Sequence, residues 1–442
     1  MNKIEVVNND PSTINKDRGC TYIPNRTHGN STHWTRIASR HSAQRQPASK
    51  NPNIPVPLPL HAAMTRMSLA VSTTFFVLAV ASAAQPAPSM PPPAVAVNNS
   101  RLEKAYVALQ ALRRAITDDP KKLTENWCGP DVCNYFGVYC APAPDDPCQR
   151  TVASVDLNHG DLAGTLPEEL GLLSDLAVFH LNSNRFCGSL PESLRSLHLL
   201  HEIDVSNNRL SGPFPSQLLC LPSVQYVDIR FNNFCGEVPA AIFDKKIDAL
   251  FINNNHFEFT LPASFTNSTA SVIVLANLPR VSGCLPSSIG DMARTLNELI
   301  LLNSGISSCI PPEIGKLDKL TVLDLSFNSI AGALPDTIGG MRALEQLDVA
   351  HNRLAGEIPE SICELPHLKN FTYSYNFFCG EPRRCLEVPR VDDRQNCIAG
   401  RPDQRPGEEC VSFLHQPQVH CDAHGCVAPP PPAVHAPPPP VY

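Results

Sequence analysis

The chain has 442 residues, of which 17% are charged and 43% hydrophobic, with a formal net charge of −7. That sign offers no basic footprint for a nucleic-acid partner, and the length admits two or three ordinary domains or one long repeat array. The charge is unevenly placed. The first 63 residues are polar and carry eight Lys/Arg against three Asp/Glu, a formal +5, so the chain from Met64 onward sums to −12.

In chain order, the first readable element is "MTRMSLAVSTTFFVLAVASAAQPAP", starting at Met64. One basic residue, Arg66, precedes an apolar stretch from Leu69 to Ala81, followed by small residues suited to cleavage near Ala83 or Ala84. This is the pattern of a secretory signal peptide, over 64–84, and it is short of the roughly 20 residues that span a bilayer. Translation is expected to begin at Met64 or Met67, with 1–63 a disordered or artefactual upstream extension and 85–99 a linker. Of 17 cysteines only Cys20 lies upstream, leaving an even 16 in the exported part, as an oxidising compartment favours.

Next, "RLEKAYVALQALRRAITDDPKKLTENW" spaces Leu102, Val107, Leu109, Leu112 and Ile116 helically, predicting a helix that covers the end of whatever follows. The cap region runs over 100–150.

From Thr151 to Pro382 the chain repeats. "VFHLNSNRFCGSLP", "EIDVSNNRLSGPFP", "YVDIRFNNFCGEVP", "VLDLSFNSIAGALP" and "QLDVAHNRLAGEIP" align without gaps. One column holds Asn184, Asn208, Asn232, Asn255, Asn328, Asn352 and Asn376, with Gly160, Pro279 and Ser304 completing it at steps of 23 to 25 residues. Ten units of this period mean an α/β solenoid. Apolar residues two apart, such as Leu323 and Leu325, put one face of a short strand into the core. The asparagine then turns the chain and bonds backbone of the neighbouring turn, Gly332 and its counterparts permit the tight path that follows, and the Leu-Pro pair packs the convex side as extended or 3₁₀ structure. At about 4.8 Å per strand the body is about 45 Å long and needs caps at both ends.

Cys284 and Cys309 are 25 residues apart in one column of successive units, which predicts a disulfide between them. After the array, 383–426 forms a cysteine-rich hinge with Cys385, Cys397, Cys410, Cys421 and Cys426, just after Cys379. His415, His420 and His424 lie nearby, but the compartment favours disulfides over zinc, and no metal or cofactor is assigned. Residues 427–442 end in "APPPPAVHAPPPPVY", which reads as a polyproline II rod. Sequons stand at Asn98, Asn267 and Asn370.

Function is sought on the concave face, at positions between and beside the strand leucines: Glu202, Asp204, Tyr226, Asp228, Phe251, Asp324, Glu345, Asp348 and Tyr375, with Tyr373 assigned to the core. Aspartate recurs there at 156, 204, 228, 324 and 348, which predicts an acidic groove lined with aromatics and therefore a basic partner. Catalytic signatures such as G-x-S-x-G, a Walker loop or H-E-x-x-H do not occur, so no enzyme activity is expected.

The chain resembles a leucine-rich repeat extensin, a plant cell-wall protein joining repeats of the plant extracellular class, a cysteine-rich hinge and a proline tail. The resemblance rests on "NWCGPDVCNYFGVYCAP", "DLNHGDLAGTLPEELGLLSDLAVFHLNSNRFCG", "LNELILLNSGISSCIPPEIG", "NFTYSYNFFCGEP" and "DDRQNCIAGRPDQR", covering 100 to about 412. It implies a disulfide-linked N-terminal cap involving Cys128, Cys133, Cys140 and Cys148. It implies secretion to the cell wall, a basic cysteine-rich peptide ligand of the rapid alkalinization factor type, and attachment to wall polysaccharide or pectin through that peptide or the tail. The tail departs from the family pattern: it is short, and alanine replaces the serine that leads each proline run. Two alternatives are a polygalacturonase-inhibitor-like defence protein, which would end soon after the repeats, and a purely structural wall glycoprotein. A homodimer is left open.

Overall fold

The computed structural model describes residues 99–427 apart from Pro279, Pro417, Gln418, His420, Ala423 and His424, and these described residues belong to one compact unit. The upstream extension, the signal peptide, nearly all of the linker, Asn98 and the proline runs lie outside them.

Each repeat contributes a three-residue strand whose central residue enters the core, as do Phe179, Ile203, Val227, Leu250, Leu323 and Leu347, all at most 2% exposed. These strands add in chain order to a 12-stranded sheet. Its first pair, Val138–Pro142 with Arg150–Asp156, is antiparallel, and the following strands pair in parallel without a register shift, for example Val322–Asp324 with Gln346–Asp348. Parallel pairing follows from the repeat, since each turn must travel round the core before the next strand begins. After each asparagine a second short strand forms, and then a proline opens a tight turn: Glu168–Leu172, Ser287–Arg294 and Asp336–Gly340 are 3₁₀, while Gln217–Cys220 and Glu360–Cys363 are single α turns. These turns need more room than strands do, so the long sheet becomes the concave face.

The asparagines of the column form a largely buried ladder. In Asn352, Nδ2 donates to the carbonyls of Leu325 (2.9 Å) and Val349 (3.1 Å), while Oδ1 accepts from the Ile330 amide (2.9 Å). One side chain therefore satisfies backbone groups of two successive turns. Where the column holds Ser304, its Oγ reaches only the Leu275 and Leu302 carbonyls. Beyond the repeats the hinge adds one more turn: Arg390–Asp392 pairs with Asn370–Thr372, and Asn396 bonds the Tyr373 and Asp393 carbonyls in the same way. At Gly332, with φ of +89°, the left-handed backbone favours glycine, and a Cβ there would press on Cys309 Sγ at 3.3 Å.

The N-terminal end is closed by helix α1, Ser100–Ala115, whose start Asn99 caps by accepting from the Arg101 and Leu102 amides. Ala105, Ala108, Leu109 and Leu112 form its buried stripe, whereas Val107, expected inside, is 46% exposed because it falls off that i, i+3, i+4, i+7 line. Trp127 is fully buried, stacks on Tyr135 and donates from Nε1 to the Phe136 carbonyl at 2.9 Å.

The cysteines correct two expectations. Cys284 and Cys309 do not bond each other: Cys284 pairs with Cys426 and Cys309 with Cys421. The hinge doubles back over 112 and 142 residues of chain to the column, with Ser308 forming an isolated bridge to Cys426 and the Cys309 amide donating to Gly425 O at 3.0 Å. Each column thiol therefore meets a hinge thiol. In the N-terminal cap Cys133 and Cys140 are joined, but Cys128 and Cys148 are exposed and unpaired. Cys363–Cys385 and Cys397–Cys410 fasten the C-terminal cap.

These closures carry a testable asymmetry. With Cys284–Cys426 intact, Cys309–Cys421 closes a loop of only about thirty residues, so Cys309→Ser with Cys421→Ser should cost about 3.5 kcal/mol and leave the hinge docked. Removing both bridges should expose residues 415–427 to limited proteolysis while the array stays folded. Equal protection in both variants would show that noncovalent contacts alone hold the hinge.

Candidate functional site

The strand positions flanking each core residue point out of the concave face, and their chemistry changes along the array. In the early units these outward positions carry His180, Glu202, Asp204 and Ser206. In the late ones they carry Asp324, Ser326, Gln346 and Asp348.

The aspartates are not the solvated acidic groove that their spacing predicts. Asp204, Asp228, Asp324 and Asp348 are 9%, 0%, 3% and 5% exposed. Each accepts the amide two residues on: Ser206 N to Asp204 (3.0 Å), Arg230 N to Asp228 (3.2 Å), Ser326 N to Asp324 (2.9 Å) and Ala350 N to Asp348 (3.0 Å). They are Asx turns that bend the chain off the strand just before a residue with positive φ, such as Asn207, Phe231, Phe327 or His351. The recurrence of aspartate is thus a requirement of the repeat. Asp228 is also held by Arg230, whose Nε lies 3.0 Å from Oδ2 and whose guanidinium sits 4.8 Å over the Phe251 ring.

Glu202 and Glu345 remain wetter, with 40% and 41% of their side chains exposed. Glu202 lies 3.3 Å from His180 Nε2, and Glu345, one residue ahead of its strand, pairs with Lys369 at 2.7 Å. Tyr226 is half-buried against Phe251, with ring centroids 5.6 Å apart. Tyr375 is exposed and stacks on His351, which stacks in turn on exposed Phe327, at 4.1 and 4.0 Å, making an aromatic ladder along one edge of the face. Tyr373 is fully buried, as expected.

Between the two polar stretches lies a feature that the pattern of charges and aromatics does not reveal. Ala249, Phe251, Val274 and Ala276, with Tyr226, Val272, Ile300 and Leu302 packed against them, form an apolar cluster separate from the main core. These occupy outward positions of four adjacent strands, Tyr226–Asp228 through Glu298–Ile300 and just beyond. The signal was present: in three successive units the residues between the strand leucines are themselves apolar. At the edge of this bay, Asn253 Oδ1 is buried without a hydrogen-bond partner, while its Nδ2 donates to Asn254 at 2.8 Å.

Of the sequons, Asn267 is exposed at the end of a convex-side turn and donates to Asp244 at 2.8 Å. Asn370 is half-buried at the start of a concave strand.

A strand stack that is parallel after its first pair, an asparagine ladder and proline-opened 3₁₀ turns define a plant-type leucine-rich repeat domain. Family models agree: "Leucine rich repeat" matches residues 294–354 and 199–221, and "Leucine rich repeat N-terminal domain" matches 104–141. Among solved structures the fold is similar to the Arabidopsis receptor kinase HAESA in complex with the peptide hormone IDA and the co-receptor SERK1, with TM-score 0.60 and 28% identity over 66% of this chain and 50% of that one. A plant ice-binding protein shares the fold at TM-score 0.55 and 21% identity, over 68% of this chain and 99% of that one. Leucine-rich repeat extensin-like protein 6 of Arabidopsis thaliana is 64% identical over 342 residues, 77% of this chain and 72% of that protein. Protein 4 of the same series is 54% identical over 349 residues, covering 78% and 70%. The chain belongs to the leucine-rich repeat extensin-like family. It spans under half the length of the longer members, 45% of protein 3 for instance.

Proposed function

We propose that this is a secreted, non-catalytic protein of the plant cell wall whose concave face binds a peptide ligand of the basic, cysteine-rich, rapid alkalinization factor type, and that this capture modulates wall assembly and growth. The observation that carries the reading is the apolar bay around Phe251 and Val274, set between polar strands on an otherwise hydrophilic face. Ala249, Phe251, Val274 and Ala276 are only 4–8% exposed, so the accessible part of this apolar strip is the half-buried rim of Tyr226, Val272, Ile300 and Leu302, and that rim is where a peptide's apolar side chains would lie. The HAESA structure, a similar fold bound to a peptide hormone, supports the class of ligand. Glu202, 40% exposed, rather than the buried aspartates or the Lys369-paired Glu345, supplies solvated negative charge to steer a basic peptide. The proline tail would tie the assembly to wall polysaccharide or pectin, and a glycan at Asn370 would border the late end of the face.

Titration calorimetry of the full secreted chain against a basic, disulfide-bonded peptide of this type tests the reading. Micromolar or tighter affinity is expected, and Val274→Glu should weaken it at least tenfold; because Val274 is 4% exposed the thermal midpoint should fall as well, so affinity is compared at a temperature where the variant is folded. Absence of heat at micromolar concentrations would remove the peptide reading. Binding that ignores Val274→Glu would move the site off the bay.

A further inference from the structure

The bridges between hinge and array have a chemistry of their own, independent of any ligand on the concave face. Cys284–Cys426 and Cys309–Cys421 lie side by side, with Cα atoms 5.0 and 6.1 Å apart. Their column thiols come from successive units, where Ser307 N donates to Gly283 O at 3.0 Å and Leu285 N to Ser308 Oγ at 2.9 Å. Cys284 therefore sits about one strand spacing, ~5 Å, from Cys309, and both sulfurs face the hinge. The hinge thiols are neighbours too. Asp422 N donates to Cys426 O at 2.9 Å and Cys421 bridges Val427, so the backbone at 421–422 runs beside that at 426–427.

Four cysteines permit three complete pairings. In the observed one, and in Cys284–Cys421 with Cys309–Cys426, both bridges cross from array to hinge. In the third, Cys284–Cys309 closes within the array and Cys421–Cys426 within the hinge, and no covalent bond joins the two. Neighbouring strand positions lie inside the roughly 4.4 to 6.8 Å of Cα separation that a disulfide tolerates, so this pairing asks for little backbone movement. All four cysteines are half-buried and open to a small thiol, whereas the Cys363–Cys385 bridge is shut in, with its residues 7% and 0% exposed.

We propose that these four cysteines form a latch, which a low-molecular-weight monothiol opens by disulfide exchange and so releases the hinge from the array at constant oxidation state. The thiolate attacks Cys421 Sγ, and the bond to Cys309 breaks with its electron pair left on Cys309 Sγ. That new thiolate attacks Cys284 Sγ, forming Cys284–Cys309 and expelling Cys426 as a thiolate. Cys426 Sγ then attacks Cys421 Sγ in the mixed disulfide, closing Cys421–Cys426 and returning the monothiol. Two disulfides enter and two leave, so nothing is oxidised or reduced overall and the thiol is catalytic. Cys363–Cys385 and Cys397–Cys410 stay closed throughout, so the swap frees the chain after Cys410 and leaves the cap and the repeats in place.

Disulfide mapping of the full secreted chain tests the latch, after the exposed thiols Cys128, Cys148, Cys187, Cys220 and Cys379 are capped with N-ethylmaleimide. A catalytic amount of reduced glutathione, followed by acid quenching and mass spectrometry, should give peptides joining Cys284 to Cys309. A Cys421–Cys426 loop should appear in equal amount, with no rise in free thiol. Proteinase K cleavage within 415–427 should speed about tenfold in step with the swap. Cys309→Ser with Cys421→Ser should abolish both responses. Unchanged pairing after glutathione would overturn the proposal. So would new free thiols without the Cys284–Cys309 peptide, which is plain reduction, and so would Cys284–Cys421 with Cys309–Cys426, which keeps the hinge tied.

Discussion

Asn232→Ala is expected to lower the unfolding free energy by about 4 kcal/mol, more than any single truncation of a peripheral leucine. Asn232 Nδ2 donates to the Val205 and Ile229 carbonyls at 3.0 and 3.2 Å, and its Oδ1 accepts the Leu210 amide at 2.9 Å, all within a slot where the residue is 6% exposed. Alanine leaves three buried backbone groups without partners. Each orphan costs about 1 to 3 kcal/mol, less what relaxation recovers. The loss falls in mid-array, where each turn is stabilised chiefly by its neighbours, so the urea transition should broaden as well as shift. Ser304 shows a partial substitute already used in this column, with its Oγ 2.6 Å from the Leu275 carbonyl. Asn232→Ser should accordingly lose about half as much. A shift below about 1 kcal/mol for Asn232→Ala would mean that water fills the slot.

Much of this body is legible in sequence because one physical constraint recurs ten times. The strand leucines, the ladder asparagine and the proline-opened turn each satisfy a local requirement, so their spacing carries the architecture. The same recurrence misleads about function. Aspartate recurs at 204, 228, 324 and 348 for the reason asparagine does, to bond backbone, and only the folded geometry separates an Asx turn from a solvated carboxylate. The proposed peptide site is marked instead by departure from the consensus, as at Phe251, Val274 and Ala276. The hinge lies beyond the reach of periodicity altogether. Cys284 and Cys309 are neighbours by column, but a returning segment that shares no repeat with them supplies Cys426 and Cys421. Connectivity of this kind does not follow from spacing.

The buried aspartates also make stability depend on pH in a direction opposite to most acidic proteins. Asp324 and Asp348 sit in register on adjacent strands, both nearly dry. Burial pushes the Asp324 carboxyl up to about 6, and burial together with the Asp324 charge raises Asp348. An unfolded aspartate titrates near 4. Between those values the folded chain holds more protons than the unfolded one, so this contribution to stability is fully present below pH 4 and is lost as the pH rises through about 6. Asp324→Asn removes the group that must ionise. Its remaining carbonyl can still accept from the Ser326 amide and hydroxyl, now at 2.9 and 2.6 Å, and its amide nitrogen can donate towards Asp348. The variant should therefore match the parent near pH 4 and exceed it by up to about 3 kcal/mol at pH 7, because each tenfold loss of carboxyl acidity on folding is worth roughly 1.4 kcal/mol. Urea midpoints at pH 4, 5, 6 and 7 would read this directly. A difference that stays constant across the series would show that Asp324 does not change its charge on folding, and that the paired carboxylates are solvated by groups other than their own backbone.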